Sequence, residues 1–134
     1  MKIITIYTVL ILAGVCASGQ NLIGYNDKEI RKYMKENRRE MSLENVTNDK
    51  FKYLKYSDSS DNQTLLFFLN PDSVCRSVRM ICDVRIKAAK VKEFNSIYKQ
   101  SEENRWVDKR DGKEYLIEMK DEKWSFIITI EPDK

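Results

Sequence analysis

Seven residues near the C-terminus, Trp124-Ser125-Phe126-Ile127-Ile128-Thr129-Ile130, alternate between large apolar and mixed side chains. A β-strand points successive side chains to opposite faces, so this run puts Trp124, Phe126, Ile128 and Ile130 on one buried face. Such a strand needs partners, and the sequence supplies them. Residues 51–56 alternate aromatic and lysine side chains, 64–69 are continuously apolar, and 75–85 alternate again. Residues 104–109 and 113–119 flank Asp111-Gly112, a strong hairpin signal.

Two segments carry helical spacing instead. Asn26 and Glu29 have the spacing of a capping box, and Ile30, Tyr33 and Met34 follow on one face, which predicts a helix ending near Arg39. Residues 40–49 read as a polar connector anchored by Met41 and Leu43. A second helix over 87–100 carries Ala88, Val91, Phe94, Ile97 and Tyr98 along one stripe. The order is therefore helix, three strands, helix, three strands. The expected fold is α+β: duplicated αβββ units (halves about 25–85 and 86–134) forming a six-stranded antiparallel sheet, with both helices packed on one face.

Residues 1–19 stand apart. Lys2 precedes an apolar run from Ile3 to Val15, and Ala17 and Gly19 suit a cut before Gln20. This is the pattern of a secretory signal peptide, leaving 20–134 as a single exported domain, periplasmic or secreted. The apolar run is shorter than the roughly 20 residues a membrane span needs, so no stable span is expected after cleavage. Acylation at Cys16 is disfavoured because Val15, not a small residue, precedes it.

Cys75 and Cys82 remain after cleavage. On one unbroken strand they lie on opposite faces and about 23 Å apart, which forbids a disulfide. Cys82 shares the apolar parity of Val78, Met80 and Val84, leaving Cys75 as the accessible thiol.

The composition excludes several chemistries. The 134 residues include no histidine, which removes histidine-based nucleophile activation and histidine-bound zinc. Only 4 glycines occur, and no glycine-rich phosphate loop is present. Asp58, Asp61 and Asn62 lack the glycine and terminal glutamate of a calcium loop. No metal or cofactor is expected. The net charge of +3 is small, and the helical cations Arg31, Lys32, Lys35, Arg38 and Arg39 are interleaved with Asp27, Glu29, Glu36 and Glu40. A solvated helix face, not a nucleic-acid site, is the reading this supports.

The signal ending Ala-Ser-Gly before Gln20 resembles export signals common in Bacteroidetes. Residues 70–130 resemble a group of small exported proteins from those bacteria. The resemblance rests on Val74-Cys75 leading a strand, Phe94-Asn95-Ser96-Ile97-Tyr98, Asn104-Arg105-Trp106, Asp111-Gly112-Lys113-Glu114-Tyr115 and Lys123-Trp124-Ser125-Phe126-Ile127-Ile128. It implies export and a compact α+β domain, and carries over no activity and no catalytic residue.

The expected function is therefore a non-enzymatic binding or interaction module of the cell envelope, whose partner is a protein, a peptide or a glycan. Aromatics on the uncovered sheet face would anchor it: Arg105 with Trp106, and Tyr53 and Tyr115. The alternatives are a hydrolase-like enzyme using carboxylates or Cys75, and an inhibitor that caps a partner by strand addition. The lysines of the 51–56 strand, taken as an edge, weigh against the last.

Overall fold

The computed structural model describes residues 21–44, 52–60 and 62–133. The expected signal peptide, including Cys16, lies outside the described residues.

Helix α1 spans Asp27–Asn37, and its start follows from local chemistry. The Asn26 side chain accepts a hydrogen bond from the Glu29 N–H at 2.9 Å, and the Glu29 carboxylate accepts one from the Asn26 N–H at 3.0 Å. Two otherwise orphaned helical donors are thus satisfied reciprocally. Four strands follow: β1 (Met41–Glu44), β2 (Tyr53–Asp58), β3 (Gln63–Leu69) and β4 (Cys75–Asp83). A 3₁₀ turn over Val84–Ile86 then leads into α2, Lys87–Ile97. Asp83 caps that turn by accepting from the Arg85 N–H at 2.8 Å. Four more strands complete the chain: β5 (Lys99–Glu102), β6 (Arg105–Arg110), β7 (Lys113–Asp121) and β8 (Ser125–Pro132).

All eight strands form one antiparallel sheet in the order β1-β2-β3-β4-β8-β7-β6-β5. This corrects the expected six-stranded α+β sheet of αβββ units: the fold is sheet-dominated, with eight strands and two short helices. The two additional strands are β1, inside the segment taken as a connector, and β5, at the expected end of the second helix. They are the two outermost strands of the sheet. In consequence β2 is not an edge, because β1 pairs along it from Met41↔Asp58 to Glu44↔Lys55.

The register aligns the core across the sheet. One row runs Leu54, Phe67, Val78, Ile130, Ile117 and Trp106 through six adjacent strands. The next runs Leu43, Tyr56, Leu65, Met80, Ile128 and Met119. Phe67, Met80, Phe126, Ile128 and Ile130 on this face are fully buried, as are Ile30 and Met34 of α1 and Phe94 of α2. Both helices lie on this face. Met34 shares a groove with Tyr56, and the Phe94 ring meets Trp106 edge-on at 5.4 Å. The expected α2 stripe is only partly inward: Phe94 and Tyr98 are buried, Ala88 is exposed, and Lys90 is buried instead.

The first described residues are built into the core. Leu22 is 0% exposed. Arg110 donates from Nη1 to the Asn21 carbonyl at 2.7 Å and from Nη2 to the Ile23 carbonyl at 2.6 Å. The Asn21 amide donates to the Asp108 carboxylate at 2.7 Å. Backbone bonds from Gly24 N–H to the Cys75 carbonyl and from Cys75 N–H to the Tyr25 carbonyl complete the attachment.

Candidate functional site

The helices cover one face of the sheet. The other carries a row that crosses every strand: Glu44, Lys55, Leu66, Arg79, Thr129, Glu118, Arg105 and Glu102. Ion pairs occupy both ends of the row. Lys55 Nζ sits 3.0 Å from Glu44, a contact that, first through its hydrogen bond, holds the Glu44 carboxyl below its usual range. Arg105 bridges Glu118 at 3.2 Å and Glu102 at 3.5 Å.

The centre differs from the ends. Tyr53 and Phe68 are cross-strand neighbours with ring centroids 6.1 Å apart, and Leu66, Ile81 and Ile127 extend the apolar surface. The guanidinium groups of Arg79 and Arg76 lie 5.7 and 6.0 Å from the Phe68 ring centroid. Among the described residues neither arginine has a carboxylate within ion-pair distance, in contrast to Arg105 and Lys55. The result is a half-exposed apolar patch carrying two unneutralised cations, with Ile81 at 38% exposure.

The structure separates the residues expected to form a binding surface. Tyr53 and Arg105 lie on the open face. Trp106 and Tyr115 do not: both point to the helix side, with Trp106 only 1% and Tyr115 7% exposed. The Trp106 indole N–H donates to the Asn95 side chain of α2 at 2.8 Å, and the Arg110 guanidinium stacks on the Tyr115 ring. Both belong to the buried core on the helix side, not to the open face. The exposed tryptophan is Trp124, at 76%, because β8 begins one residue later and Trp124 belongs to the preceding turn.

Cys75 is also corrected. It is 2% exposed and faces the core together with Cys82. The cause is a bulge: Phe68 pairs with Ser77 and Leu69 pairs with Cys75, so Arg76 is an extra residue and inverts the parity before it. Both cysteines are free. Burial pushes the Cys75 thiol up to about 12 and the Cys82 thiol up to about 11, the opposite of the shift that activates a nucleophile.

Phe68, Arg76 and Arg79 were not singled out by sequence alone. The usable signal was Arg76, which breaks the apolar parity of its strand. Among the described residues, no cluster of three or more His, Cys, Asp or Glu side chains could hold a metal ion, and no helix is long and apolar enough to cross a membrane.

The class these features define is an eight-stranded antiparallel sheet with one helix-covered face and one open apolar and cationic face. Comparison with known proteins finds no matching family model, no matching curated protein and no matching solved structure.

Proposed function

We propose that the protein is a non-enzymatic interaction module of the bacterial cell envelope, exported by cleavage before Gln20, and that its contact surface is the open face of the sheet. The observation that carries this reading is the Tyr53–Phe68 patch with Arg76 and Arg79 over it. Apolar surface left in water costs about 25 cal/mol per Å², and an arginine held beside an aromatic ring without a carboxylate is poised to receive one. The partner that fits is a protein surface presenting apolar side chains beside acidic ones.

The test is a crosslinked affinity capture from the cell's own envelope, with wild type and an Arg76→Glu/Arg79→Glu variant. One saturable partner, captured by wild type and lost by a variant with unchanged melting temperature, supports the proposal. No partner, or one retained by the variant, overturns the assignment to this face.

A further inference from the structure

A second surface lies on the helix side, beside the cationic residues of α1. A groove of about 530 Å³ runs between α1 and the outermost strand β1. Its floor is apolar, made by Met34, Met41, Leu43 and Tyr56, and its rim is basic, made by Arg31, Lys35 and Arg39. Arg31 and Lys35 are one helical turn apart, about 6 Å along the axis, and Arg39 closes the end of the groove. Arg31 pairs with Asp27, whereas Lys35 and Arg39 have no carboxylate within ion-pair distance among the described residues.

We propose that this groove docks an extended acidic peptide segment, added as a strand alongside β1, with an apolar side chain between two acidic ones on its inward face. Three observations select this occupant. Among the described residues β1 is an edge strand, so alternate peptide groups along it face no partner strand there. Met41 and Leu43 belong both to that edge and to the groove floor. A strand added about 4.8 Å beyond β1 therefore lays its own inward side chains along the flank of α1. Inward side chains repeat about every 6.6 Å, so two acids flanking an apolar residue stand about 13 Å apart, enough to reach the rim at its Arg31 and Arg39 ends while the apolar residue between them covers the floor. A second copy of the chain is a poor occupant, since edge-to-edge pairing would bring the same cations to the rim.

The opposite edge sharpens the contrast. β5 reads Lys99-Gln100-Ser101-Glu102, exposed throughout, and offers no apolar residue to a strand added there. This surface is separate from the open face, and the proposal stands or falls independently of the one made for it.

The test uses an end-blocked heptapeptide in which threonine alternates with glutamate, leucine and glutamate. Its affinity is read by fluorescence anisotropy, and backbone protection at 41–44 by hydrogen exchange. The expected result is saturable binding that weakens with added salt, with new protection at β1. Lys35→Glu/Arg39→Glu, at two exposed positions, weakens it at least tenfold. Lys120→Glu, on the far face, changes it less than twofold. Equal binding of a scrambled peptide, or of one with lysine replacing glutamate, overturns the proposal. So does an affinity unchanged in the double variant. Binding of dodecanoate without binding of the peptide reassigns the groove to an acyl carboxylate and likewise overturns it.

Discussion

Arg110 is the residue whose removal most directly tests how the first described residues are held. Its guanidinium donates to the carbonyls of Asn21 and Ile23 at 2.7 and 2.6 Å, and lies 4.9 Å from the Tyr115 ring centroid. A hydrogen bond to a charged group contributes about 1.5–3 kcal/mol, and a half-buried pair sits at the low end of that range. The ring contact adds about 0.5–1 kcal/mol. Arg110→Ala should therefore destabilise the protein by about 3.5–4 kcal/mol. Arg110→Lys keeps a charge near the ring but loses the fork that reaches two carbonyls at once, and should cost about half as much. For a domain between about 100 and 150 residues 1 kcal/mol moves the melting temperature by roughly 4 °C, so the alanine variant should melt about 14 °C lower. Thermal and urea unfolding measure the loss. Hydrogen exchange at Gly24, whose N–H bonds to the Cys75 carbonyl, locates it. If both variants melt within about 2 °C of wild type, or lysine serves as well as arginine, the guanidinium is not what holds Leu22 and Ile23 in the core.

Two further outcomes follow from buried thiols and from one turn. The folded protein keeps the Cys75 and Cys82 protons up to about 12 and about 11, whereas an unfolded chain releases them above about 8.5. Their contribution to stability is thus complete below about pH 8.5 and shrinks as pH rises toward 11, by up to about 1.4 kcal/mol per pH unit per thiol. Urea unfolding at pH 8 and pH 10.5 should show a steeper alkaline loss for wild type than for Cys75→Ala/Cys82→Ala; equal slopes refute the assignment. In the β6–β7 hairpin, Asp111 and Gly112 both take left-handed conformations, φ 53° and 76°. No atom lies within 4 Å of a Cβ added at Gly112, so Gly112→Ala should cost only the conformational term, about 1 kcal/mol in urea. A variant as stable as wild type would show that the turn relaxes.

Much of the fold was legible where the signal is local. The capping box of α1 needs only Asn26 and Glu29, and the β6–β7 hairpin only Asp111-Gly112. The alternation of 126–130 sets one face of a central strand without knowing its neighbours. The rest depended on partners. β5 is four polar, exposed residues, and it is a strand solely because β6 pairs with it at Gln100↔Trp106 and Lys99↔Val107. β1 does alternate, as Met-Ser-Leu-Glu, but four residues beside a polar connector are too short a run to separate from a loop. The face of Cys75 was lost to the bulge at Arg76, since alternation assumes an unbroken period of two. The sequence alone places Trp106 on the surface, whereas its burial is conferred by Phe94 and Asn95, which reach it from another element. Of the residues expected on the surface, Tyr53 and Arg105 lie on the open face, because both sit at polar-parity positions with no irregularity between.

The differences between the halves bear most on function. Each half is a helix followed by four strands, and the halves meet where β4 pairs with β8, so β1 and β5 end up as opposite edges of the same sheet. Had both edges been built alike, strand addition would be equally open or equally blocked at each. Instead β5 is lined with charge and amide on all sides, the usual protection of an edge against association. β1 keeps Met41 and Leu43 turned toward a groove whose rim is basic. Met41 is buried and Leu43 packs against the same core, so folding holds both in place. The same two residues leave an apolar edge at which an added strand finds a floor. On the open face Lys55 pairs with Glu44 and Arg105 with Glu102 at the rims, while Arg76 and Arg79 at the centre have no carboxylate within ion-pair distance among the described residues. On both surfaces the apolar residues coincide with cations that have no carboxylate within ion-pair distance among the described residues, which is why an acidic partner is the chemistry common to both proposals.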